Sequence, residues 1–105
     1  MQRIVYLYNL KEGVTLQDYK ELSDLDQAIT LKQPGVLKFD LLKIKGSNKD
    51  AAPYQIMEVI DVESFDQWMK VQQSSPIAPL IEGFKKYVDE SSVLMVYGDV
   101  IPPKK

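Results

Sequence analysis

The stretch I4-V-Y-L-Y-N-L10 decides the fold. It has strand composition, and neighbouring side chains on a strand point to opposite faces. Ile4, Tyr6, Tyr8 and Leu10 therefore share one face, while Val5 and Leu7 share the other. A half-buried strand keeps one face polar; this one is oily on both, so both faces need cover.

The same pattern recurs along the chain. Val36–Lys45 reads as a second strand, with Leu37, Phe39 and Leu41 opposed to Leu42 and Ile44. Tyr54–Val62 reads as a third, with Ile56 and Ile60 opposed to Met57 and Val59. Ser92–Ile101 reads as a fourth, with Val93 and Met95 opposed to Leu94, Val96 and Val100. Between the first two strands, Thr15 with Asp18 three residues on predicts a capped helix start. Tyr19, Leu22, Leu25 and Ile29 then form an apolar stripe that runs until K32-Q-P-G35 ends the helix near Lys32. G46-S-N-K-D-A-A-P53 is a polar loop. Ser64 caps a second helix through Phe65, Trp68, Met69 and Gln72; S74-S-P-I-A-P-L80 interrupts it, and a further short helical piece runs to about Val88.

The order β-α-β-β-α-β predicts an α+β, ferredoxin-like fold: a four-stranded antiparallel sheet with its helices on one face. No linker or repeat divides residues 1–105, which read as one domain with 102–105 as a frayed tail. The helices cover one side of the sheet. The other side, oily in every strand, calls for a second copy packed sheet to sheet, so a homodimer is expected.

Composition narrows the chemistry. Hydrophobic residues make 45% and charged residues 27% of the chain, as in an ordinary soluble domain. A net charge of −2 with scattered Lys and Arg offers no footprint for nucleic acid or an anionic membrane surface. There is no Cys and no His, which removes disulfides, thiolates, the commonest general base and the commonest zinc and iron ligand. No apolar run is long enough to span a bilayer, and no cationic leader opens the chain; the expectation is a cytoplasmic protein. Neither metal-ligand spacing nor a Gly-rich phosphate loop is present, so no metal or cofactor is expected.

In D18-Y-K-E-L-S-D-L-D-Q-A-I-T-L-K-Q-P-G-V-L-K-F39 a helix ends a few residues before Pro-Gly-Val and a strand follows. In V62-E-S-F-D-Q-W-M-K-V-Q-Q-S-S-P-I77 a second helix opens just after a strand and breaks near Ser-Pro. Over nearly its whole length the chain resembles the dimeric α/β-barrel superfamily. Such a resemblance implies two ferredoxin-like protomers forming one barrel with helices outside. Within it the EthD-like group often carries a His eight residues before the Pro of Pro-Gly; here that position is Asp26. The RedY/HapK-like proteins of prodigiosin-type pigment biosynthesis keep an Asp near that place, and Y8-N-L-K-E-G13 and the chain length fit them.

Candidate site residues follow. Asp26 lies on the edge of the helix stripe, either solvated or facing a helix–sheet cleft, where desolvation would suit it to proton transfer. Glu58 sits mid-strand between Ile56 and Ile60; depending on register it meets Asp40 or Lys43, as a carboxylate pair or a structural ion pair. Tyr6, Tyr8, Tyr54 and Tyr97 suit either packing or a pocket for a flat ligand. Trp68 resembles the second-helix Trp of haem-degrading relatives, but that chemistry needs a His on iron, and Trp68 also suits the core. The resemblance implies a role in secondary metabolism, and the leading functional expectation is binding of a small aromatic or pyrrolic intermediate, with residue placement suggesting Asp26 as acid or base, Tyr6 as hydrogen-bond donor, Tyr8, Tyr54 and Glu58 as binding residues and Trp68 as a wall. A non-catalytic carrier or stabilising partner of a biosynthetic enzyme, and a cofactor-free monooxygenase of the antibiotic-biosynthesis type, are the alternatives.

Overall fold

The structure, a computed structural model, describes residues 1–49 and 51–103. It contains β1 (Gln2–Leu10), α1 (Leu16–Thr30), β2 (Val36–Lys43), β3 (Ile56–Val62), α2 (Phe65–Gln72), α3 (Ala78–Tyr87) and β4 (Val88–Asp99). The strands form one antiparallel sheet in the order β2-β3-β1-β4. This is the expected ferredoxin-like α+β architecture. Of the expected tail, Pro102 and Pro103 carry no regular structure, and Lys104 and Lys105 lie outside the described residues, as does Asp50 of the polar loop.

Local chemistry explains the helix starts. Thr15 Oγ1 accepts the Asp18 N–H at 3.1 Å, and Asp18 accepts the Thr15 N–H at 2.8 Å. That reciprocal pair satisfies two donors that the first turn would otherwise leave bare. Ser64 accepts the Gln67 N–H at 3.1 Å and caps α2 with that one-way bond. Between α1 and β2 the chain turns at Gly35, whose φ of +80° suits glycine alone among common residues. A Cβ there would also lie 2.6 Å from the Gln67 side chain. Gln67 Nε2 in turn donates to the Pro34 carbonyl at 3.1 Å, tying the turn to α2.

Three expectations need correction. The stripe predicted for α1 is rotated: Tyr19, Ser23, Asp26 and Thr30 are its buried residues, Leu22 and Ile29 are half-buried, and Leu25 is 51% exposed. The helix turns a partly polar face inward because a cavity, not solid core, lies beneath part of it. β3 begins at Ile56 rather than Tyr54. The Gln55 N–H reaches the Tyr8 carbonyl at 3.2 Å, but its side chain takes the Leu10 N–H at 2.7 Å, so the side chain replaces the backbone ladder there. β4 begins at Val88 rather than Ser92. It pairs Val88 with Leu10 and Asp89 with Asn9, breaks register, and resumes with Leu94 opposite Leu7. At the break Ser92 Oγ accepts the Asn9 N–H at 2.8 Å and donates to the Asp89 carbonyl at 2.6 Å, a side-chain splice in the ladder.

The helix-covered face holds the core. Ile4, Phe39, Ile60 and Val62 of the sheet pack on Trp68, Val71, Ile77 and Leu80. A second cluster joins Tyr8, Leu10 and Ile56 to Tyr19 and Val88. On the opposite face the register lays out rows. Leu42, Met57, Leu7 and Leu94 form one, and Asp40, Val59, Val5 and Val96 the next. A charged row follows, Lys38, Asp61 and Arg3, in which the Arg3 guanidinium donates twice to Asp61, at 2.6 and 3.1 Å. Leu42 (53%), Leu94 (43%) and Val96 (49%) are exposed. Among the described residues nothing covers this face.

Candidate functional site

Glu58 points from β3 to the helix-covered face, between Ile56 and Ile60. The register sets it beside Tyr6 of β1 and Leu41 of β2. Neither partner expected from the sequence, Asp40 or Lys43, stands opposite: Asp40 pairs with Val59 and Lys43 with Ile56. The second carboxyl near Glu58 comes instead from α1. Asp26 and Glu58 both line one cavity of about 220 Å³ between helices and sheet. Each is only 7% exposed.

Tyr6 and Tyr8 of β1 and Trp68 of α2 line the same cavity, as do Phe39, Ile77 and Phe84. Exposed Glu90 and Val93, just around the β4 splice, mark its mouth. The Trp68 indole N–H donates to the Tyr6 hydroxyl at 3.0 Å, fixing both rings at a tilted centroid distance of 6.4 Å. Tyr8 and Tyr19 share a hydroxyl–hydroxyl bond of 2.8 Å. Thr30, one turn beyond Asp26, donates to its carboxylate at 3.1 Å. Tyr54 is not brought to this place: it is half-buried in the segment before β3 and does not line the cavity. Larger hollows of about 320 and 380 Å³ exist elsewhere, but neither gathers a buried ionisable side chain.

The electrostatics are set by burial. Desolvation pushes the Glu58 carboxyl up to about 8, the Tyr8 hydroxyl opposes part of that rise, and the Asp26 charge adds to it. Desolvation raises Asp26 to about 6, opposed by the Thr30 hydrogen bond. Burial also raises the phenols of Tyr6, Tyr8 and Tyr19, which stay neutral hydrogen-bonding groups. Two neighbouring acids are thereby held in different states near neutral pH: Glu58 mostly protonated, Asp26 mostly ionised. The four ion pairs found among the described residues all lie elsewhere. Among those residues no cluster of three or more Asp or Glu side chains gathers as a metal site would require, and no helix is long and apolar enough to cross a membrane.

Several lining residues escape a sequence reading. Phe39, Ile77 and Phe84 look like ordinary core. Glu90 lies between the helical piece expected to end at about Val88 and the strand expected from Ser92, where the sequence predicts no element. One signal was available: Asp26 and Thr30 stand four apart on α1, the spacing of helix neighbours.

The family model described as REDY-like protein HapK matches residues 2–100. The chain belongs to this HapK family. The crystal structure of HapK from Hahella chejuensis is 23% identical, covers 100% of this chain and 97% of its own, and superposes with a TM-score of 0.78. An EthD family protein of Bacillus halodurans is 16% identical over 96% of this chain and 99% of its own, with a TM-score of 0.74. A dimeric ferredoxin-like protein of Thermobifida fusca is 12% identical over 94% of this chain and 90% of its own, with a TM-score of 0.75. No curated protein matches the sequence significantly. At these identities the likenesses establish the fold; family membership rests on the HapK match.

Proposed function

We propose that this HapK-family chain is a secondary-metabolite biosynthesis protein that binds a small aromatic or pyrrolic intermediate, of the prodigiosin-pigment type, in the cavity between α1 and the sheet. It assists a cofactor-free proton-transfer step there, such as a cyclisation or dehydration. Asp26 takes the proton as base and Glu58, protonated, supplies one as acid. Tyr6 uses its hydroxyl proton as a donor, since the Trp68 N–H occupies its oxygen as acceptor. Tyr8 stands beside Glu58 and limits the orientations of its carboxyl, and Trp68 forms a flat wall.

One observation carries this reading. Two buried carboxyls, neither ion-paired among the described residues, face one apolar cavity between α1 and the sheet, where an aliphatic residue would be the stable choice. An Ile at position 58 would add burial worth about 1.5–3 kcal/mol. The expected homodimer belongs to the same proposal. Its support is the uncovered oily outer face and the dimeric relative of the same fold.

The test is Asp26→Asn in cells making the metabolite, with pathway intermediates followed by mass spectrometry. The substrate of the step accumulates and its product falls at least about tenfold, the lower end of what a single acid–base group contributes being larger still. Unchanged product formation removes Asp26 as proton carrier and favours a carrier or stabilising role.

A further inference from the structure

Resting on the cavity as a small-molecule site, we infer that its ligand is a flat heteroaromatic with positive charge on nitrogen, because the cavity joins buried Asp26 and Glu58 to the rings of Tyr6, Phe39 and Trp68 with no lysine or arginine among the described residues of its wall.

The sign of the lining is the first argument. The chain has 13 Lys and Arg, and none of those among the described residues lines this cavity. Arg3, Lys20, Lys38 and Lys85 are each engaged with a carboxylate outside it. The third acid of the lining, Glu90, extends the same sign to the mouth. The groups facing Glu58 are Tyr6 and Tyr8 from β1, Leu41 from β2, Asp26 and the Tyr19 hydroxyl from α1, Trp68 from α2 and Glu90 from β4. None can carry a positive charge. An anionic ligand would meet carboxyls with nothing to neutralise it. A neutral arene would use the ring faces and leave the carboxyls idle.

The second argument is what a cation completes. A buried carboxylate without a partner is costly, and a cation beside it offsets that cost. As the ligand seats, its cationic nitrogen pairs with the ionised Asp26 carboxylate, and Glu58 keeps the proton that it supplies as acid. The ring faces add cation–π attraction, strongest at Trp68. The same lining therefore recognises both the flatness and the charge of an iminium, amidinium or protonated azaheterocycle.

Three bicyclic probes of one shape test this by titration calorimetry on the full chain near neutral pH: 1-naphthylmethylammonium, 1-naphthylmethanol and 1-naphthoate. The ammonium should bind at least about tenfold tighter than the alcohol, and the carboxylate weakest. Asp26→Asn should bring ammonium and alcohol within about threefold of one another; Glu58→Gln serves as the second variant, and circular dichroism checks both for folding. If the alcohol or the carboxylate binds as tightly as the ammonium, the charge inference is overturned while the small-molecule site stands. If none of the three binds, the site itself is refuted and the inference falls with it.

Discussion

Replacing Glu58 by Gln should make the protein more stable, and increasingly so as pH rises. In the folded chain the carboxyl is held protonated up to about 8, whereas in the unfolded chain it ionises near its ordinary value of 4.5. Between these limits the folded state binds the extra proton, so stability is fully present below about 4.5, falls through neutral pH, and levels off above about 8. Each tenfold change in the ionisation constant is worth about 1.4 kcal/mol, so the full displacement corresponds to about 4–5 kcal/mol. Relaxation of the wall around the ionised group reduces this to roughly 2–4 kcal/mol. Gln keeps the shape and has nothing to ionise. Urea unfolding at fixed protein concentration, with native protein and variant compared near pH 5 and above pH 8, reads the difference; at about 1–1.5 kcal/mol per molar urea it is a midpoint gap that widens by about 2 M. Parallel pH dependences for the two proteins would refute the buried, unpaired state assigned to Glu58 and the acid role built on it.

Removing the Tyr6 hydroxyl with Tyr6→Phe leaves the Trp68 indole N–H without its acceptor; a loss of about 1–2 kcal/mol in urea unfolding is expected, and no loss would mean that the bond is not formed. Thr15→Ala removes the half of the α1 cap that the Thr15 hydroxyl makes, and should cost about 1 kcal/mol, read by the same unfolding. Val96→Asp places a charge in the middle of the uncovered sheet face. Stability of the isolated subunit should change by less than about 0.5 kcal/mol, while sedimentation velocity shifts from two subunits to one; a native protein already monomeric at micromolar concentration would refute the self-association.

Element order was legible because it rests on signals that act locally: period-two oily runs, a Thr–Asp cap, a Pro-Gly stop and a Ser cap. The double-sided oiliness of I4-V-Y-L-Y-N-L10 correctly marked a face that one chain cannot hide. Illegible features were those settled by distant partners. The true start of β3 depends on a Gln55 side chain reaching Leu10, and that of β4 on Ser92 reaching Asn9. The facing of α1 could not be read from its apolar stripe, because the helix covers a cavity whose wall includes polar groups. Asp26 was noticeable for its place at the stripe's edge. Its relation to Glu58 was not, since the β2–β3 register is set by pairing across a long loop and turned out to place Leu41 opposite. Tyr54 shows the reverse failure: an aromatic next to a strand resembles a pocket residue whether or not the strand carries it there.

The chain contains a single tryptophan, and it stands in the cavity wall with its indole tied to one neighbouring phenol. Emission excited at the red edge of indole absorption therefore comes from that one place. Colour, quenching and anisotropy of this light follow occupancy of the cavity and loosening of α2 without any attached dye, which makes the unlabelled protein its own optical gauge for screening guest molecules.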